Sequence, residues 1–180
     1  MIIGILGYQG GGHLYGYALQ RIGVDFKIIR THDDFTDDLD CIILPGGESS
    51  VQMKYMQQYN LINHVKNFSK KIIGTCAGMI LLSSYRSDLF NGLSMIDVEL
   101  ERNFYGAQIA SGFYISDNNN EICFIRAPAI SNLNLAKDIE VLDTFRERPI
   151  LIRKNNIYCT SFHPEISRDS SFLTLKSIIN

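Results

Sequence analysis

Lys71-Ile72-Ile73-Gly74-Thr75-Cys76-Ala77-Gly78-Met79-Ile80-Leu81-Leu82-Ser83-Ser84 sets an apolar run of strand length against an apolar helical segment, joined by a turn with one cysteine between two glycines. A short, continuous apolar run with no polar alternation is the pattern of a parallel strand buried on both faces. The same unit recurs on the N-terminal side. Ile2-Ile3-Gly4-Ile5-Leu6 reads as a buried strand running into a glycine-rich turn, residues 14–22 as a helix closed by Gly23, and residues 24–30 as the next strand. Cys41-Ile42-Ile43-Leu44 is a further strand, stopped by Pro45-Gly46-Gly47. Ser49 or Ser50 can cap a helix running toward residue 59, and a second helical stretch covers about residues 61–69. From about Leu93 the pattern changes to shorter strands and turns. Asp117-Asn118-Asn119-Asn120 reads as a hairpin or exposed loop, and residues 169–179 as a closing helix. The expectation is one α/β domain over residues 1–180, three-layered, with a mostly parallel central sheet of flavodoxin-like kind. In such a sheet, ligands bind at the carboxyl ends of the strands, where the loop of residues 7–12 and the Pro45-Gly46-Gly47-Glu48-Ser49 loop both fall.

The 180 residues carry 17 Lys and Arg against 19 Asp and Glu, a formal net charge of −2, with 46% hydrophobic and 20% charged residues. This is ordinary globular composition, and at this length roughly 70% of the unfolded surface can be buried. Nucleic acid is disfavoured as a partner, because the neighbouring basic pairs Lys70-Lys71 and Arg153-Lys154 read as solvated surface rather than a basic footprint. The N-terminal apolar run is too short for a secretory signal or a membrane span, so a cytoplasmic location with no membrane association is expected. Cys41, Cys76, Cys123 and Cys159 stand far apart without a C-x-x-C, which argues against a disulfide framework or a zinc site. Three of them read as small buried hydrophobes. The acidic stretch of residues 33–40 reads as a polar connection, because no His or Glu interleaves it as metal ligands would. No metal and no cofactor is implied.

Cys76 is the exception among the cysteines. Gly74-Thr75-Cys76-Ala77-Gly78 has the form glycine, x, nucleophile, x, glycine, placed where a strand turns into a helix. Such an elbow needs glycines because the turn is tight, and it holds the nucleophile exposed in a strained conformation. The helix N-terminus would favour a thiolate there, and the Ala77 N–H could face an oxyanion. A thiol nucleophile needs a base, and the histidines are His13, His32, His64 and His163. His163, in Ser161-Phe162-His163-Pro164-Glu165, follows an apparent strand from Asn156, and Glu165 two residues on would share its side in an extended segment. This predicts a Cys76, His163, Glu165 triad. His13, just after the first glycine loop, is the competing base.

Together, Pro45-Gly46-Gly47, Gly74-Thr75-Cys76-Ala77-Gly78 and His163-Pro164-Glu165 resemble the class I, or triad, glutamine amidotransferases. Arg102-Asn103-Phe104-Tyr105-Gly106 and Phe124-Ile125-Arg126-Ala127-Pro128 narrow the resemblance to the glutaminase subunits of pyridoxal 5′-phosphate (vitamin B6) synthases. The resemblance implies hydrolysis of L-glutamine to glutamate and ammonia, and transfer of the ammonia to a separate synthase subunit in a hetero-oligomeric complex. It implies that Cys76 attacks the side-chain amide, His163 protonates the departing ammonia and Glu165 orients His163. It also implies a glutamine site from Gly47, Glu48, Ser49, Arg102, Ile125 and Arg126, and an oxyanion hole from Gly10, Gly47 and Ala77. Arginine suits an amino acid's carboxylate because its planar fork can bind both oxygens. The chain departs from the family pattern at Gly10-Gly11-Gly12, at Ala107 and at Gly112, positions that bear on the partner interface more than on the chemistry. The alternatives are a class I glutaminase serving another acceptor, an intracellular cysteine hydrolase of related fold, and a binding subunit without turnover.

Overall fold

A computed structural model describes residues 1–7, 11–105, 111–131, 135–169 and 171–180. Its first half alternates strand and helix: β1 (Ile2–Leu6), α1 (Gly12–Arg21), β2 (Asp25–Ile29), β3 (Cys41–Leu44), α2 (Ser49–Gln58), α3 (Leu61–Asn67), β4 (Lys71–Thr75) and α4 (Ala77–Leu82). The second half is strand-rich: β5 (Leu100–Tyr105), β6 (Gly112–Ile115), β7 (Glu121–Phe124), β8 (Ala127–Ile130), β9 (Glu140–Phe145), β10 (Arg148–Lys154) and β11 (Ile157–Thr160), closed by α5 (Leu173–Ile179).

Seven strands form the central sheet in the order β2-β1-β3-β4-β11-β10-β9. The pairs from β2 through β11 are parallel, and β10 and β9 extend the sheet antiparallel. Side chains alternate across each strand, so the two faces build two cores. Ile42 and Leu44 pack with Met53, Met56, Val65 and Leu81 from α2, α3 and α4. Cys41 and Ile43 pack on the other face with Tyr15, Ala18 and Leu19 of α1 and Leu175 and Ile178 of α5. The sheet is therefore the middle one of three layers, as the apolar runs predict. Two small antiparallel pairs, β5 with β8 and β6 with β7, complete the second half, and Asp117-Asn118-Asn119-Asn120 is the turn of the β6–β7 hairpin.

Several local expectations are corrected. Glu48, not a serine, occupies the N-cap of α2, and it makes no side-chain capping bond. Lys70 and Lys71 are structural rather than merely solvated. Lys70 Nζ donates to the carbonyls of Leu39 at 2.7 Å and Asp37 at 3.1 Å, and Lys71 Nζ donates to those of Ile178 and Ile179, tying α5 to the start of β4. The acidic connection is held by its own carboxylates. Asp34 accepts from the N–H groups of Arg30 and Thr31, Asp38 pairs with Lys27, and Asp40 accepts from the N–H of Ile2.

The elbow glycines have a steric cause. A Cβ at Gly78 would lie 1.9 Å from the carbonyl oxygen of Leu44, and one at Gly74 would lie 2.5 Å from Leu82 Cδ1 and 2.9 Å from the Gly78 carbonyl. The first turn of α4 thus lies directly on β3. Gly78→Ala should cost at least about 2 kcal/mol, because the obstructing atom is backbone and cannot swing away. Urea unfolding measures this, and a loss below about 0.5 kcal/mol, the scale of ordinary surface substitutions, would contradict the packing described.

Candidate active site

β4 and β11 are adjacent and parallel, with Thr75 in register with Thr160. Residues that follow the two strands therefore emerge side by side at the carboxyl edge of the sheet. Cys76 follows Thr75 directly, with φ 50° and ψ −101°, a conformation rare for a residue with a side chain. Its N–H donates to the Thr160 carbonyl at 2.8 Å, so β11 itself anchors the turn. Cys76 is the N-cap of α4 and is 8% exposed, enough to present its sulfur to the cleft.

Three residues past β11, the His163 N–H donates to the Cys123 carbonyl, and Nδ1 donates to Glu165 Oε1 at 2.8 Å. The segment is not extended as the spacing suggests. The Ile166 N–H donates to the His163 carbonyl, which closes a tight turn, and that turn folds the Glu165 carboxylate back onto the ring. His163 Nε2 is buried and has no hydrogen bond of standard geometry among the described residues. The group that faces it is Cys76. Burial disfavours a charged imidazole here, but the interactions with Cys76 and Glu165, and the carboxylate's charge, outweigh it and push the His163 pKa up to about 10. His163 therefore carries a proton on each nitrogen at neutral pH, one toward the carboxylate and one toward the sulfur.

The imidazole lies against Gly46. A Cβ there would meet Cε1 at 2.4 Å and Nδ1 at 3.2 Å, so only glycine leaves room for the ring. Gln52, fully buried on α2, holds this loop by donating from Nε2 to the carbonyls of Pro45 at 3.2 Å and Gly46 at 3.1 Å. The Gly11 N–H donates to the Gly46 carbonyl as well.

A cleft of about 320 Å³ opens over Cys76 and His163. Gly47, Glu48, Ser49, Ala77, Arg102, Ile125 and Arg126 all line it, and so do Ile80, Asn103 and Pro128, which the motifs do not single out. Arg102 reaches across to Glu48, with Nη2 3.7 Å from Oε1, and its guanidinium stacks over the Tyr85 ring at 5.7 Å. Asn103 and Arg126 both adopt positive φ, at 56° and 47°, and the Arg126 N–H donates to Ser111 Oγ. Ser49 Oγ is buried at the cleft with no partner among the described residues. The cleft thus combines a nucleophile, a protonated imidazole, a carboxylate, two guanidiniums and an unpaired hydroxyl. That set can bind a zwitterionic amino acid and transfer its acyl group to sulfur.

Other expectations fall outside this group. His13 lies exposed on α1, while His64 rests against Phe35 and His32. Gly10 and Ala107 lie outside the described residues. Burial pushes the Cys41 thiol up to about 12 and raises that of Cys159 further. Cys123 rises to about 11 through burial and then the charge of Glu165, so these three remain inert thiols. Among the described residues, no three His, Cys, Asp or Glu side chains group as a metal site would require, and no helix is long and apolar enough to cross a membrane.

Residues 5–176 match the model of the SNO glutamine amidotransferase family. The chain belongs to this family. It is 37% identical over 182 residues to the pyridoxal 5′-phosphate synthase subunit PdxT of Thermosipho africanus (strain TCF52B), covering 94% of each chain. It is also 37% identical over 176 residues to the protein of the same name from Francisella philomiragia subsp. philomiragia, covering 94% of this chain and 93% of that one. A crystal structure of a glutamine amidotransferase superposes with a TM-score of 0.83 at 29% identity, over 99% of this chain and all of that one. PurLQS from Thermotoga maritima shares the fold alone, with a TM-score of 0.61 at 16% identity over 99% and 97% of the two chains.

The raised pKa of His163 makes its protonated form a stabilising element of the fold. That contribution is whole below the unfolded-state value of about 6.5 and is lost as pH rises through about 10. The stability advantage of the wild type over His163→Gln should therefore shrink between pH 7 and pH 10.5 in urea unfolding. A gap that stays constant or widens over that window would contradict the protonated imidazole.

Proposed function

We propose that this chain is the glutaminase subunit of a pyridoxal 5′-phosphate synthase, hydrolysing L-glutamine to L-glutamate and ammonia and delivering the ammonia to a separate synthase subunit. The observation that carries this reading is the convergence of Cys76 and His163, led by parallel strands β4 and β11, on one cleft lined by Glu48, Arg102 and Arg126. Membership of the SNO family and the likeness to PdxT proteins support it.

In this reading Cys76 Sγ attacks the side-chain amide carbon of glutamine, and the carbonyl oxygen becomes an oxyanion facing the N–H groups of Gly47 and Ala77. The tetrahedral species collapses as the carbon–nitrogen bond breaks, and His163 Nε2 gives its proton to the departing ammonia. A glutamyl thioester remains on Cys76. Water attacks it, His163 takes a proton from that water, and the carbon–sulfur bond breaks to release glutamate. Glu165 holds the imidazole in the orientation both steps use, and Arg102 and Arg126 bind the substrate's α-carboxylate. Gly10, which lies outside the described residues, is the further oxyanion donor that the family pattern suggests.

The chain assayed with its synthase subunit should release ammonia from glutamine, and Cys76→Ala should abolish that release with folding intact. His163→Asn should lower turnover by at least about 10²-fold. Arg126→Ala should raise the KM for glutamine about tenfold or more, the scale of a lost charge-assisted hydrogen bond. Full ammonia release by Cys76→Ala would end this assignment. Release that the synthase subunit leaves unchanged would instead favour a glutaminase serving another acceptor.

A further inference from the structure

Behind the triad lies a polar network that the proposed chemistry does not use. Tyr15 of α1, Thr75 of β4 and Thr160 of β11 are all fully buried. The Tyr15 hydroxyl lies 2.5 Å from Thr75 Oγ1, and Thr160 Oγ1 lies 3.4 Å from that atom. Thr160 has one hydroxyl proton, and it goes to the Phe162 carbonyl at 2.8 Å, which can only accept. Either hydroxyl of the short Tyr15–Thr75 pair can be the donor, and Thr75 as the donor leaves the phenol's own proton free for a further acceptor.

That acceptor is at hand. Glu165 is 2% exposed, and its Oε1 accepts from His163 while its Oε2 is buried without a hydrogen bond of standard geometry among the described residues. The carboxylate lies against the start of α1, since a Cβ at Gly11 would be 3.1 Å from Oε1. Burial first, and the adjoining Glu165 charge next, raise the Tyr15 pKa well above the usual phenol value, so the hydroxyl keeps its proton to donate.

Resting on the glutaminase reading, we propose that Tyr15 is a positioning residue whose hydroxyl accepts from Thr75 and donates to the second oxygen of Glu165. The chain Thr75 to Tyr15 to Glu165 to His163 then joins the residue before the nucleophile to the imidazole that serves it. A buried carboxylate with one oxygen unserved would be free to rotate away from the ring. Tyr15 removes that freedom, so the ring stays aimed at Cys76.

The test is steady-state ammonia release by the complex with the synthase subunit. Tyr15→Phe removes only the hydroxyl and should lower kcat about ten- to a hundredfold, the range for a lost hydrogen bond to a charged group, with the KM for glutamine within about twofold. This split separates positioning from a general loosening of the fold, which would move both constants. Thr75→Val should give a smaller loss of the same kind, and the double variant should lose less than the product of the two, because both act through one chain. A Tyr15→Phe kcat within twofold of wild type, a change confined to KM, or multiplicative losses in the double variant would each overturn the proposal. Should Tyr15→Phe not fold, Thr75→Val decides by the same kcat criterion. A wild-type complex that releases no ammonia would overturn the glutaminase reading itself, which distinguishes the two failures.

Discussion

The parallel pairing of β4 with β11 governs the geometry of the site, because it sets where two chain segments far apart in sequence leave the sheet. Thr75 and Thr160 are in register, and the Cys76 N–H is bound to the Thr160 carbonyl, so the thiol and the imidazole three residues past β11 share one edge. Hydrogen bonds of a parallel ladder are evenly spaced, and a slip of one residue would turn every side chain to the opposite face. With both faces buried against helices, such a slip would drive Ile72 and Ile73 into the wrong cores. The hydrophobic layers therefore hold the register, and the register holds the site.

Close approach is the second constraint, and glycine is its instrument at two points. Gly78 lets α4 lie on the Leu44 carbonyl, which places Cys76 at the tip of the turn. Gly46 lets the His163 ring lie on the backbone, so the Pro45-Gly46-Gly47 loop forms the wall against which the imidazole rests. These contacts leave the ring little room to move. The protonated state of His163 arises in spite of this enclosure, because the interactions with Glu165 and Cys76 outweigh the cost of burying the charge.

Much of this can be read from residues alone. The apolar runs Ile2–Leu6, Cys41–Leu44 and Lys71–Thr75 announce buried strands because nothing polar interrupts them. The Gly74 to Gly78 motif announces the elbow because few other turns demand that spacing. What escapes a sequence reading depends on tertiary packing. Gln52 looks like any polar residue on an amphipathic helix, yet it is fully buried and clamps the loop that supports His163. Tyr15 reads as part of an apolar face, and only the fold shows its hydroxyl meeting Thr75. Lys71 reads as a surface cation until the last turn of α5 is seen to supply its acceptors. The turn that folds Glu165 onto His163 is likewise hidden in the sequence, because His163-Pro164-Glu165 suits an extended segment equally well.

The central claim is that Cys76, alone among the four cysteines, is the nucleophile of the cleft and attacks glutamine there. It is tested most directly by treating the chain, in complex with its synthase subunit, with a diazoketone analogue of glutamine and locating the adduct by peptide mass spectrometry. The account predicts one label per chain, on the Cys76 peptide, formed more slowly in the presence of L-glutamine. Labelling at Cys41, Cys123 or Cys159 instead, or labelling of Cys76 that glutamine does not slow, would contradict it.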